Sequence, residues 1–170
     1  MIVTGVSLGH ADDRAAEHWL HEVVGPAGVP GLVACTHLVR TPRPHVAVSL
    51  AAPDGLPDGL PASVAGFDSA AEVAAAEHRE RRSGRAVLYP GVESLVGELS
   101  VAEVLERSAI EQVTLLGGAQ PDGDTRLVTR DFVRPVWING VLTLIAAPVG
   151  AGRIAPFELP DPTPCCADKH

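Results

Sequence analysis

An α+β fold is predicted, in which a β-α-β-β-α-β module leads into a short helix and an antiparallel β meander. Three observations carry it. Residues 12–24 repeat apolar side chains at helical spacing, residues 32–39 and 45–51 read as strands separated by a proline turn, and a second helical run over 70–82 precedes another short apolar strand.

In chain order, Ile2 to Leu8 mixes β-branched with small residues and forms the expected first strand, with Gly9-His10 as its turn. Asp12 and Asp13 stand where a helix needs a side-chain oxygen and negative charge for its unpaired N–H groups. Ala16, Trp19, Leu20 and Val23 then share one helical face, and Gly25-Pro26 ends the helix. The turn Val29-Pro30-Gly31 leads into strand two, Leu32 to Val39, and Pro42-Arg43-Pro44 turns the chain into strand three, His45 to Ala51. Pro53 to Pro61 is a loop. Ser69-Ala70-Ala71-Glu72 fits a capping box that starts helix two, and Arg85 to Tyr89 makes strand four.

The run Trp19-Leu20-His21-Glu22-Val23, followed by Val29-Pro30-Gly31-Leu32-Val33-Ala34, resembles the dimeric α+β barrel superfamily. Those ferredoxin-like proteins include the antibiotic-biosynthesis monooxygenases, the ethyl tert-butyl ether degradation type and small polyketide cyclases. The resemblance covers residues 1–95 and implies a ferredoxin-like module, a homodimer, and a small-molecule pocket on the open sheet face. It also implies cofactor-free chemistry, as an oxygenase, cyclase or isomerase. Relatives often place a histidine at the end of the helix; Val24 stands here, so that residue is not carried over.

Residues 96–159 form the expected extension packed on this module. Ser100-Val101-Ala102-Glu103 is a second capping box, and Val113 to Leu116 reads as a strand stopped by Gly117-Gly118. Strands are expected over 126–133, 136–146 and 154–159; Asn139-Gly140 divides the middle one if it adopts a type I′ hairpin turn. A meander is the simplest arrangement, because sequence neighbours usually pair.

Hydrophobic residues make up 46% of the 170-residue chain and charged residues 20%, a globular balance. The net charge of −8 argues against nonspecific nucleic-acid binding, which neutralises phosphates with Lys and Arg. No apolar run is long enough to span a membrane, and no basic region with an apolar core opens the chain, so a cytoplasmic protein is expected. Three cysteines make no even disulfide framework.

Strand parity locates candidate chemistry. If Val46, Val48 and Leu50 face both helices, then His45, Ala47 and Ser49 face away, together with Cys35 and His37, with Val3, Gly5 and Ser7, and with Val87 and Tyr89. His37 and His45 are the candidate bases on that face and Tyr89 the candidate hydrogen-bond donor. Cys35 lacks any motif that would activate its thiol, and His18 with His21 lacks the full spacing of a zinc motif.

The proline-rich stretch 159–164 carries Cys165, Cys166 and His170 to the end of the chain, ligand types suited to zinc or copper. Three readings follow: a small-molecule-binding protein, a soft-metal binder, or a noncatalytic assembly module. Under the metal reading, removal of residues 165–170 abolishes bound zinc or copper in native mass spectra; unchanged stoichiometry defeats it.

Overall fold

The computed structural model describes residues 1–160. The Cys165, Cys166 and His170 metal site expected from the sequence lies outside them. The first module runs β1 (Ile2–His10), α1 (Asp13–Trp19), β2 (Val33–Val39), β3 (His45–Ala52), α2 (Asp68–Arg79) and β4 (Arg85–Leu88). The second runs β5 (Glu98–Ser100), α3 (Val101–Arg107), β6 (Gln112–Leu115), β7 (Arg126–Val128), β8 (Val136–Ile138), β9 (Val141–Gly150) and β10 (Arg153–Pro156). Among the described residues, no helix is long and apolar enough to cross a membrane.

All ten strands join one mixed sheet in the order β1-β3-β2-β4-β8-β9-β10-β7-β5, with β6 added to β9. The first four pair antiparallel, and the two halves meet at Arg85 opposite Val136. Backbone bonds from Ala86 to Pro135 and from Trp137 to Gly84 flank that junction.

Local chemistry explains the helix starts. The Asp12 carboxylate accepts the Ala15 N–H at 2.8 Å and so caps α1. After Trp19 the chain continues as a π-turn over Leu20–Val24, closed by the Gly25 N–H on the Leu20 carbonyl. Bonds to the fifth residue wind this turn wider than an α-helix. Val24 is buried and Val23 exposed, where the sequence pattern placed Val23 inward. The Ser100–Glu103 capping box forms with both of its hydrogen bonds. That expected at Ser69 does not: α2 begins at Asp68 behind buried Phe67, whose ring meets the His45 imidazole edge-on at 4.5 Å.

The helices of the first module lie on opposite faces of the sheet, which corrects the expectation of one open face. Ala16, Leu20 and Val24 pack on Val6, Val46, Val48, Leu50 and Val87. Ala70 and Ala74 of α2 pack on Ala47 from the other side. Val87 thus faces α1, contrary to its assigned parity, because a register shift separates the Ala34–Leu88 and Cys35–Ala86 pairs. The rest of the face expected to be open is filled by the second module: Cys35, Ala86 and Tyr89 belong to its core with Leu95, Leu99, Val104, Leu127, Leu142 and Leu144.

That second core is not a pure antiparallel meander. β6 runs parallel to β9, and β10 parallel to β7. The strand expected over 126–133 stops at Val128, and Arg130 and Asp131 then turn with positive φ. Asn139 and Gly140, with φ of 49° and 85°, form the hairpin turn that separates β8 from β9.

A close approach sets the position of α2. A Cβ on Gly5 would sit 1.8 Å from the Ala71 carbonyl oxygen, so only glycine admits the helix at this depth. Overpacking against backbone has no flexible side chain to absorb it. Gly5→Ala is expected to cost about 3 kcal/mol or more, read as a lower urea midpoint; an unchanged midpoint would show that α2 does not seat on β1 at this depth.

Candidate functional site

α2 carries a face of small residues at helical spacing, Ala70, Ala71, Ala74 and Ala75, that ends at His78. The alanines let the helix lie against the sheet, and His78 enters the space beneath its last turn. Its Nδ1 lies 2.7 Å from Ser49 Oγ on β3, and the same oxygen lies 2.7 Å from His37 Nε2 on β2. Both imidazoles and the serine are buried.

The chain His37–Ser49–His78 separates two cavities. One, of about 480 Å³, opens where α2 ends. Val3, Val33 and Ala51 line it from the first sheet segment, His78, Arg79 and Arg81 from the helix end, and Ala109, Glu111, Trp137 and Leu142 from the second module. The Arg81 guanidinium stands 4.9 Å above the centre of the Trp137 ring system, close enough for a cation–π contact. Arg81 has φ of 52° and its carbonyl accepts the Gly140 N–H, which ties the helix end to the β8–β9 hairpin. Glu111 is held in place by its carboxylate, which accepts the Leu142 N–H at 2.8 Å.

The second cavity, about 500 Å³, is lined by His37 with Glu77, Ser83, Gly84, Arg85 and Thr36, and also by Trp137. It occupies the notch left where short β4 pairs with β2 only as far as Thr36, so His37 to Val39 run on beyond it. Among the described residues, the Thr36 hydroxyl and Arg85 Nη1 that border it are buried without a hydrogen-bond partner.

Burial dominates the electrostatics. It lowers the pKa of His37 to about 4, aided by His78 and opposed by the Glu77 carboxylate. It lowers that of His78 to about 4, aided by the Arg81 guanidinium. Both rings are therefore neutral at pH 7. Burial likewise pushes the Cys35 thiol up to about 12, against a weaker pull from Trp137 and Ser49, which makes it a packed thiol and not a thiolate.

The sequence-predicted residues are distributed unevenly. His37 and Ser49 stand on the expected face and are joined through α2 to His78. His45 stands on the same face, but both of its nitrogens are engaged, Nε2 with Ser7 Oγ at 2.9 Å and Nδ1 with the Arg43 carbonyl at 2.7 Å. Tyr89 lies in the second core, its hydroxyl donating to the Val133 carbonyl, and burial raises its pKa. It touches neither histidine's hydrogen-bonded chain. His18 is exposed on α1 and His21 on the π-turn that follows it. Among the described residues, no group of three His, Cys, Asp or Glu side chains converges to hold a metal.

His78 and Trp137 were not singled out from the sequence, where Arg81 stands only in a basic cluster with Arg79, Arg82 and Arg85 that reads as ending a helix against its dipole. The four-residue steps Ala70, Ala74, His78 mark the imidazole as inward-facing, a signal that gains meaning only once α2 is placed over Ser49. On the opposite face an ion network ties the two modules together. Glu17 of α1 meets Arg85 at 2.5 Å and Arg134 at 2.7 Å, and Arg85 also pairs with Glu158. Arg134 lies over Phe132 at 4.1 Å from its ring centre. Burial alone would raise the Glu17 pKa, but the two guanidinium groups outweigh it and hold the carboxylate below its ordinary range.

No protein-family model, curated protein or solved structure matches the chain.

The lowered histidine pKa values fix a sign for acid sensitivity. Between the unfolded value near 6.5 and the folded value near 4, the unfolded chain binds protons at His37 and His78 that the folded chain excludes. Stability is therefore expected to fall as pH drops from about 6.5 to about 4, with uptake of about two protons on unfolding near pH 5. Urea midpoints across this range test it, and His78→Gln should roughly halve the slope; a flat profile in the parent protein contradicts the buried neutral pair.

Proposed function

We propose that the chain binds a small molecule with an apolar body and an anionic end in the cavity beneath the end of α2. The observation that carries this is the joint wall of Trp137 and Arg81, which sets an aromatic surface beside a cation over an apolar floor. Val3, Val33, Ala51 and Leu142 supply that floor. A volume of about 480 Å³ falls within the usual range for small-molecule sites, which are apolar with a few placed polar groups.

Charge gives the ligand its polarity. Arg79 and Arg81 line the cavity from the helix end and Glu111 lines it from the second module, so a carboxylate or similar anion is favoured beside the two guanidinium groups. His78 also lines the cavity and is neutral at pH 7. A neutral imidazole can donate or accept a hydrogen bond, whereas an imidazolium can only donate. Cofactor-free proton chemistry, as an isomerase or cyclase performs, would therefore use His78 at this cavity, with His37 behind it. The resemblance of residues 19–34 to the dimeric α+β barrel proteins supports a small organic ligand and leaves its identity to the cavity.

Naphthalene-2-carboxylate is a suitable first probe, since it pairs an aromatic body with one carboxylate. In a Trp19→Phe background Trp137 is the remaining tryptophan, and its emission should change on titration while the melting temperature rises. Trp137→Phe and Arg81→Ala should each weaken binding at least about tenfold, a loss of about 1.4 kcal/mol. Naphthalene-2-methanol, which lacks the charge, should bind more weakly than the carboxylate. If neither that probe nor a panel of aryl and alkyl carboxylates binds below about 1 mM, the reading falls.

A further inference from the structure

The buried hydrogen-bonded chain behind the cavity has a property that its individual residues do not. Ser49 Oγ lies 2.7 Å from His37 Nε2 and 2.7 Å from His78 Nδ1, and a serine hydroxyl holds one proton. To bridge the rings it donates to one imidazole and accepts from the other. With both rings neutral, two proton arrangements bridge the rings through the hydroxyl; a third, in which Ser49 turns its proton toward the Cys35 thiol and accepts from both rings, does not bridge them.

In the first, His37 carries its proton on Nε2 and donates to Ser49, which donates to a bare His78 Nδ1; His78 then carries its own proton on Nε2. In the second, every donor is reversed, and both rings carry their protons on Nδ1. In either bridging arrangement the two histidines share one tautomer. His78 lines the cavity beneath α2 and His37 lines the separate notch cavity, so the ends of the chain stand in different spaces.

We propose that His37, Ser49 and His78 form a proton relay connecting the ligand cavity to the notch beside β4. The proposal rests on the ligand-binding reading for its destination, although not for its existence. Starting from the first arrangement, a proton from water in the notch binds His37 Nδ1 as His37 Nε2 releases its proton to Ser49. Ser49 passes its own proton to His78 Nδ1, and His78 Nε2 releases its proton to a base on the ligand. Four bonds to hydrogen form and four break, counting the water donor; one proton crosses and the chain ends in the second arrangement. The reverse sequence removes a proton from the ligand and restores the first.

The surroundings suit this role. Glu77 borders the His37 end and Arg81 the His78 end, so the relay runs between a carboxylate and a guanidinium. Gly84 makes room for His37: a Cβ there would approach the ring Cε1 to 2.8 Å, at a φ of 128° that side chains rarely adopt. The relay is closed to bulk water along its length, since Ser49 is fully buried. His78 is the candidate catalytic residue in this scheme; Ser49 and His37 act through it.

Nitrogen-15 NMR of histidine-labelled protein at pH 7 tests the relay by reading which nitrogen of each ring is protonated. In the ligand-free protein, His37 and His78 should report the same tautomer, or the same mixture of tautomers. Opposite tautomers would overturn the relay, because one hydroxyl proton cannot bridge them. Naphthalene-2-carboxylate should draw both rings toward the Nε2–H form, since its carboxylate accepts from His78. In Ser49→Ala, only His78 should respond while affinity changes less than about threefold; a response of His37 in that variant would likewise overturn it. If the probe does not bind at all, the ligand reading fails while the ligand-free tautomers still decide the relay. Ser49→Thr, which retains a hydroxyl, should preserve the matched tautomers should Ser49→Ala fold poorly.

Discussion

The depth at which α2 lies on the sheet is the constraint on which the rest of the structure depends. With no side chain on Gly5 and a row of alanines on the helix, backbone approaches backbone. That contact brings His78 within hydrogen-bonding distance of a serine on β3, the strand beside β1. A helix a few ångströms farther out would leave Ser49 and His37 under a layer of ordinary apolar side chains. The polar chain is thus a product of close packing, and its desolvation follows from the same contact. Burial then keeps both imidazoles uncharged, the state in which a ring can both give and accept a proton.

A second constraint sets where the helix end looks. The two modules share a sheet through one short pairing of β4 with β8, a narrow seam for two separate apolar cores. The Glu17–Arg85–Arg134 network reinforces it on the α1 face, and Phe132 stacks beneath the guanidinium groups. Buried ion pairs add little net stability over apolar contacts, yet they are costly to break from one side and so fix a geometry. The cavity beneath the end of α2 lies in the fork between modules, on the far side of the sheet from the ions.

Local signals in the sequence were legible wherever a side chain bonds to its own backbone. Asp12 caps α1, Ser100 and Glu103 form their reciprocal pair, and Asn139-Gly140 turns the hairpin, each through contacts a few residues apart. Distant choices were not legible. Nothing local tells which face α2 covers, because a helix of alanines can seat on either side of a sheet rich in Ala and Val. The parallel pairs β6–β9 and β10–β7 also lack a local mark, since parity of side chains is the same for either strand direction. The candidate site suffered from both gaps. His37 was found by strand parity, while its partner His78 lay on a helix whose position the pattern left open, and Val87 was misassigned through a single irregularity in β4.

Asn139 is the only asparagine in the chain, and it precedes glycine. Such pairs age chemically: the glycine nitrogen attacks the side-chain amide, closes a succinimide ring and leaves aspartate or isoaspartate. In this fold the same nitrogen donates its hydrogen to the Arg81 carbonyl, and the dihedral angles of the turn are fixed on both sides by paired strands. The attacking atom is occupied and its approach is constrained. The contact that ties the hairpin to the end of α2 therefore also shields the one deamidation-prone bond of the molecule, and ageing at that bond becomes a clock for how often the hairpin lets go of the helix.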